Sequence, residues 1–285
     1  MKVPYRLILK PAPFTSDHIK SFTFKSGESQ VQLLNQLSGS VEIFFYYRGD
    51  ASLISLIMLV DALRSPGQLV TDISLVIPYF PGGRQDRRCN DGESFSARVY
   101  ADIINALGFT EVTVFDAHSE VTAAVLNRCV VEKNHRFVQK AINSEPKDYC
   151  LVSPDAGANK KVFGLAQYLG GPRVIRADKI RDTKDGKIVD TEVFADDLTG
   201  LRLIIVDDII SGGRTFIELA KKLKQKNAAV IELITSHDEG IAEEHVLKDA
   251  GIDRFITTNS LTATRATTEF SKVFDIEELI MITVP

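Results

Sequence analysis

Long apolar runs are missing from this 285-residue chain. No stretch approaches the ~18 consecutive apolar residues of a membrane span, and Met1-Lys2-Val3-Pro4-Tyr5 lacks the core of a signal peptide. Cysteine is scarce. Cys89, Cys129 and Cys150 stand far apart without metal-ligand spacing, which reads as reduced thiols in a cytoplasm rather than a disulfide framework. Neither charge dominates. A net charge of −4 and a pI near 5.8 do not supply the basic surface that nucleic acid or an anionic membrane demands. What remains is ordinary globular composition, 44 % hydrophobic and 25 % charged, with apolar material for a sizeable core. At roughly 150 residues per domain the length suits one large domain or two ordinary ones.

Short apolar runs alternate with amphipathic stretches, the pattern of parallel sheets covered by helices. Residues 41–47 (VEIFFYY) read as a buried strand, and 52–63 as a helix with apolar Leu53, Ile54, Leu56, Ile57, Val60 and Leu63. A strand over 74–77 is ended by Pro78. Ser94 or Ser96 is placed to cap a helix running to Leu107, with Gly108 at its left-handed end. Residues 112–115 form the next strand and lead into Asp116-Ala117-His118. A break near Glu145 and Pro146 opens a second half. There a strand over 149–153 runs into Pro154-Asp155-Ala156-Gly157, and a helix over 160–169 is closed by Gly170 and Gly171. Strands follow at 173–176, 203–206, 230–235 and 254–258, with helices at 215–226 and 242–250. The polar stretch 182–199 reads as a loop or hairpin, and the first 35 residues alternate as a small antiparallel segment would. The expected architecture is α/β, with tandem domains at 1–145 and 146–285.

The segment Leu203-Ile-Ile-Val-Asp-Asp-Ile-Ile-Ser-Gly-Gly-Arg-Thr-Phe216 carries the most chemistry. A strand delivers Asp207 and Asp208 to the carboxyl edge of a sheet, where α/β proteins bind ligands. The chain then turns through Ser211, Gly212 and Gly213 and enters a helix with Arg214 and Thr215. The glycines let backbone N–H groups approach an oxyanion, and the helix N-terminus adds partial positive charge. The acids would repel phosphate, so they make sense as acceptors for neighbouring sugar hydroxyls. A phosphorylated sugar meets both demands. A paired Asp that merely caps the turn is the plainer alternative.

This loop resembles the phosphoribosyl-diphosphate-binding loop shared by type I phosphoribosyltransferases and ribose-phosphate diphosphokinases (phosphoribosyl-diphosphate synthetases). The rest of the chain distinguishes the two. Pro78-Tyr79 and Arg84-Gln85-Asp86-Arg87-Arg88 are similar to the diphosphokinase segment whose Arg-Gln pair contacts ATP, which implies that role for Arg84 and Gln85. Asp116-Ala-His118 resembles the family's Asp-Leu-His, implying His118 near the ATP phosphates and the metal. Ser153-Pro-Asp-Ala-Gly157 resembles Ser-Pro-Asp-x-Gly and implies a magnesium-holding Asp155, which would otherwise read as a helix cap. Asp178-Lys179-Ile180-Arg181 is similar to Asp-Lys-Arg-Arg at the root of a catalytic loop, implying that Lys179 and Arg181 stabilise the transferring diphosphoryl group. Phe24-Lys-Ser-Gly-Glu28 resembles Phe-x-Asp-Gly-Glu, which implies that Phe24 stacks on, and Glu28 accepts from, the adenine of a neighbouring subunit's ATP.

The resemblance implies two tandem type I phosphoribosyltransferase-like domains with mainly parallel sheets flanked by helices. The first would contact ATP and the second ribose 5-phosphate, through Asp207, Asp208, Ser211, Gly212, Gly213, Arg214 and Thr215. Mg2+ would be the cofactor, and a homo-oligomer, dimer or hexamer, the assembly. Departures are visible: Ser26 and Ser211 each replace an acid, Arg214 a small residue, and Lys161 an arginine. They keep open a non-catalytic regulatory subunit, beside a type I phosphoribosyltransferase that consumes the diphosphate.

Overall fold

The apolar runs become strands and the amphipathic stretches between them become helices, as the alternation predicts. The protein, seen in a computed structural model, is described over residues 5–9, 19–142, 149–181, 188–261 and 265–280. Two units separate, Met1–Lys133 and Asn134–Pro285; Glu145 and Pro146 lie outside the described residues.

The first unit runs β1 (Tyr5–Leu9), β2 (Ile19–Thr23), β3 (Ser29–Leu33), β4 (Ser38–Phe45), α1 (Asp50–Leu63), β5 (Leu69–Ile77), α2 (Ser96–Ala106), β6 (Val112–Phe115), α3 (Glu120–Val125) and β7 (Cys129–Glu132). Its sheet has the order β1-β4-β5-β6-β7, parallel except for the antiparallel β1 edge. Strands β2 and β3 form a separate antiparallel ribbon, the small segment expected from the early alternation. Helix α1 buries Leu53, Leu56, Val60 and Leu63 against the sheet, while Ile54 is 45 % exposed because it falls off that stripe. No serine caps α2. Phe95 stands at the cap, and the Ala97 N–H is taken by the Gln85 carbonyl at 3.2 Å.

The second unit contains α4 (His135–Ile142), β8 (Cys150–Ser153), α5 (Asn159–Tyr168), β9 (Val174–Arg181), β10 (Ile188–Val193), β11 (Arg202–Ile210), α6 (Arg214–Gln225), β12 (Val230–Asp238), α7 (Glu244–Asp249), β13 (Arg254–Thr258), β14 (Ser271–Phe274) and α8 (Ile276–Ile280). The sheet order is β10-β9-β8-β11-β12-β13-β14, parallel but for β10. The polar stretch after residue 182 is thus partly a hairpin, with Lys179 opposite Thr191; residues 182–187 lie outside the described residues. Phe216, Leu219 and Leu223 of α6 pack on Leu203, Ile205, Ile231 and Leu233. At the amino ends of the strands, buried Glu232 joins Arg202 at 2.6 Å and Arg254 at 3.7 Å. Among the described residues no helix is long and apolar enough to cross a membrane.

Candidate functional site

In the second unit, parallel pairing places β8 between β9 and β11, so their carboxyl ends bring three predicted segments together. Asp155 follows β8 and turns back on itself: its Oδ1 accepts from the Ala158 N–H at 3.1 Å. Its Oδ2 accepts from Lys179 Nζ at 2.6 Å, both side chains being partly exposed. The side chain of Arg181 lies outside the described residues; its backbone ends β9.

Strand β11 continues beyond the four residues expected, and Asp207 and Asp208 lie within it rather than past its end. The strand can extend because β12 is equally long and pairs with it to Asp238. Asp208 is buried. Burial first, then the charge of Asp208 and that of Asp155, push the Asp207 carboxyl well above the ordinary carboxylate range. A small cavity lined by Lys161, Val162, Leu165, Val206 and Asp207 adjoins it.

The loop after β11 ends in Gly213, whose φ of 77° is left-handed, and no side chain caps α6. A Cβ on Gly213 would lie 3.3 Å from both Ala242 Cβ and Leu247 Cδ2, whereas one on Gly212 would meet nothing within 4 Å. Gly213 therefore answers to backbone and packing, and Gly212 faces open space. Arg214 lies exposed along the helix, its Nε donating to Glu218 Oε1 at 3.2 Å. That pair ties the side chain to its own helix. Ser211 and Thr215 are partly buried beside the turn.

In the first unit, neighbouring β5 and β6 carry the Arg-Gln loop and the histidine at adjacent carboxyl ends. A Cβ on Gly83 would lie 3.7 Å from His118 Cβ. Arg84, Gln85 and His118 are all exposed. Arg87, donating at 2.7 Å, and to a lesser degree the nearby His118 hold the Asp86 carboxyl below its ordinary range. Sequence reasoning missed the support beneath this loop. Gly82 packs on the Tyr100 ring, and the hydroxyls of Tyr100 and Tyr47 donate to Asp50 Oδ1 at 2.7 and 2.8 Å. Tyr47 and Asp50 are near neighbours in the chain, but Tyr100 joins them from 50 residues away and the three match no motif, so no local signal marked them.

Phe24 and Glu28 sit on the β2–β3 turn, where the Phe24 N–H donates to the Glu28 carbonyl at 2.8 Å and Gly27 has φ 93°. Phe24 is 51 % exposed, not a core aromatic. Ser26 Oγ donates to Glu28 Oε2 at 2.6 Å.

Residues 7–108 match the N-terminal domain of ribose phosphate pyrophosphokinase, and residues 125–261 the phosphoribosyl transferase domain. The chain belongs to the ribose-phosphate pyrophosphokinase family, the diphosphokinases under another name. It is 28 % identical over 269 residues to the ribose-phosphate pyrophosphokinase of Thermococcus kodakarensis, covering 91 % of this chain and 89 % of the relative. Against that of Vibrio cholerae it is 28 % identical, covering 88 % and 81 %. The fold matches the crystal structure of phosphoribosylpyrophosphate synthetase from Mycobacterium smegmatis with a TM-score of 0.79 at 23 % identity, over 93 % of this chain and 88 % of that one. The expected α/β architecture of two tandem phosphoribosyltransferase-like domains is the one found.

Magnesium fits the donor chemistry. After burial, the charges of Asp208 and Asp155 also act on Asp207, so carboxylate oxygens, the donors a hard cation takes, stand near one another here. Among the described residues no cluster of three ligand-type side chains gathers. Mg2+ commonly takes one or two carboxylates and completes its shell with water and substrate phosphates.

Proposed function

We propose that the chain transfers the β,γ-diphosphoryl group of ATP to the C1 hydroxyl of ribose 5-phosphate. The C1 oxygen bonds to the β-phosphorus as the bond from that phosphorus to the bridging α,β-oxygen breaks. AMP leaves with the electron pair, the hydroxyl proton passes to solvent, and 5-phosphoribosyl 1-diphosphate is formed. The observation that carries this reading is the convergence of Asp155, Lys179 and Asp207 beside the glycine loop of the second unit.

In this reading Asp207 and Asp208 accept from the ribose hydroxyls, and residues 211–215 seat the 5-phosphate at the α6 N-terminus. Arg84 and Gln85 bind the ATP phosphates, while Phe24 and Glu28 hold adenine. Lys179 and Arg181 stabilise the charge that develops on the transferring group. Asp155 would hold Mg2+ in the second unit, which when bound withdraws charge from the phosphate oxygens, and His118 would serve the ATP phosphates and their metal in the first. Adenine held by a turn from another subunit requires at least a dimer. The free state of Cys89, Cys129 and Cys150 supports work in a reducing cytoplasm.

The test is 31P NMR of the purified protein with ribose 5-phosphate, ATP and Mg2+. AMP and a new sugar-diphosphate signal appear together, and only with all three present. Intact ATP would overturn the reading in favour of a regulatory subunit or a transferase, which nucleobases with phosphoribosyl diphosphate would then separate.

A further inference from the structure

We propose that Asp238 and Arg265 are positioning residues for ribose 5-phosphate, forming a buried buttress that sets the wall of the phosphate-binding loop. The proposal rests on the assignment of that loop above. Asp238 ends β12 and is fully buried, and the Arg265 side chain is 9 % exposed. Arg265 Nε and Nη2 both donate to the Asp238 carboxylate, and Nη2 also donates to the Ala242 carbonyl at 2.8 Å. The guanidinium lies over the Phe255 ring, 4.9 Å from its centre. From below, the Gly240 N–H donates to Asp238 Oδ1 at 2.8 Å. The Glu239 N–H donates to the carbonyl of Ile210, the residue before Ser211, at 3.0 Å.

The turn over 239–242 is therefore tied to the ion pair on one side and to the phosphate loop on the other. Ala242 Cβ lies against Gly213, where even one added carbon would be 3.3 Å away. A shift of this turn moves the space in which Gly213 and the start of α6 sit. Stability alone is a poor reason for such a pair, because desolvating two charges offsets most of their attraction, and apolar side chains pack as well. The arginine fork instead fixes direction as well as distance. That is what a loop of backbone donors requires, since their angles decide how well they hold an anion.

The test compares wild type with Arg265→Gln, Asp238→Asn and Arg265→Lys, by calorimetric titration of ribose 5-phosphate and by steady-state kinetics. Arg265→Gln and Asp238→Asn are expected to weaken ribose 5-phosphate about tenfold, as small misplacements of binding groups do, while the KM for ATP stays within about twofold. Arg265→Lys keeps the charge without the fork and falls between. If Arg265→Gln does not fold, the other two variants decide. Folded variants with a lowered Tm and unchanged ribose 5-phosphate affinity would make the pair merely structural and overturn the proposal. Wild type that binds no ribose 5-phosphate overturns the loop assignment itself, and the buttress with it.

Discussion

The ammonium of Lys179 sits 2.6 Å from Oδ2 of Asp155, joining the residue proposed to stabilise the transferring group to the one proposed to hold the metal. Each supplies the other's counter-charge. Both side chains are partly exposed, at 17 % and 29 %, so water screens the pair and it contributes less than ~1 kcal/mol to stability. In the proposed reading the pair serves the chemistry instead. Lys179→Ala is expected to lower kcat by about two orders of magnitude or more while sparing ribose 5-phosphate affinity. Equal loss of both, in kinetics and titration, would remove the lysine from the transition state.

Asp207 makes a prediction with a sign. Its carboxyl is pushed up by burial and by the neighbouring acids, so the folded protein holds that proton more tightly than the unfolded chain does. Stability from this residue is then greatest in acid and is lost as pH rises through the raised value. Asp207→Asn should raise Tm, and the gain should widen as pH rises above the ordinary carboxylate range. The same variant should bind ribose 5-phosphate more weakly, because an amide is a poorer acceptor for sugar hydroxyls than a carboxylate. A gap in Tm that does not change with pH would contradict the assigned cause.

The two loop glycines should behave differently. Gly213→Ala forces a side chain into a left-handed backbone and against Ala242 and Leu247, with a cost of about 1–2 kcal/mol from the backbone alone. Gly212→Ala enters open space without a left-handed φ, and its stability should change by less than ~0.5 kcal/mol. Ribose 5-phosphate should bind the Gly212 variant more weakly all the same, since the new methyl occupies the anion's approach. Thermal melts paired with titration measure both effects.

The β2–β3 turn offers a clean separation of fold from function. Phe24 is 51 % exposed and touches Phe22 edge-on with ring centroids 5.0 Å apart, so Phe24→Ala should alter stability by no more than ~0.5 kcal/mol. If the ring stacks on adenine, the KM for ATP rises and that for ribose 5-phosphate does not. An unchanged KM for ATP would leave the exposed ring without that role.

Much of this was legible in the sequence because it is local. Alternating apolar runs foretold the strands, and Ser211-Gly212-Gly213 marked the turn into α6 because phosphate loops need small residues in consecutive positions. The antiparallel ribbon at residues 19–33 followed from alternation. The hairpin partners Lys179 and Thr191 were anticipated only as far as a loop or hairpin. The extension of β11 to Ile210 was not readable, since it depends on the length of β12 beside it.

What the sequence by itself determined is chemistry and order: two α/β halves, a glycine loop preceded by two acids, arginines and a histidine after strands. Tertiary structure decided the partnerships. Lys179 reaches Asp155 across 24 residues, and Arg265 reaches Asp238 across 27. Both pairings depend on which strands lie side by side and how far each runs. That order is settled by long-range burial of whole sheet faces, which no short motif encodes.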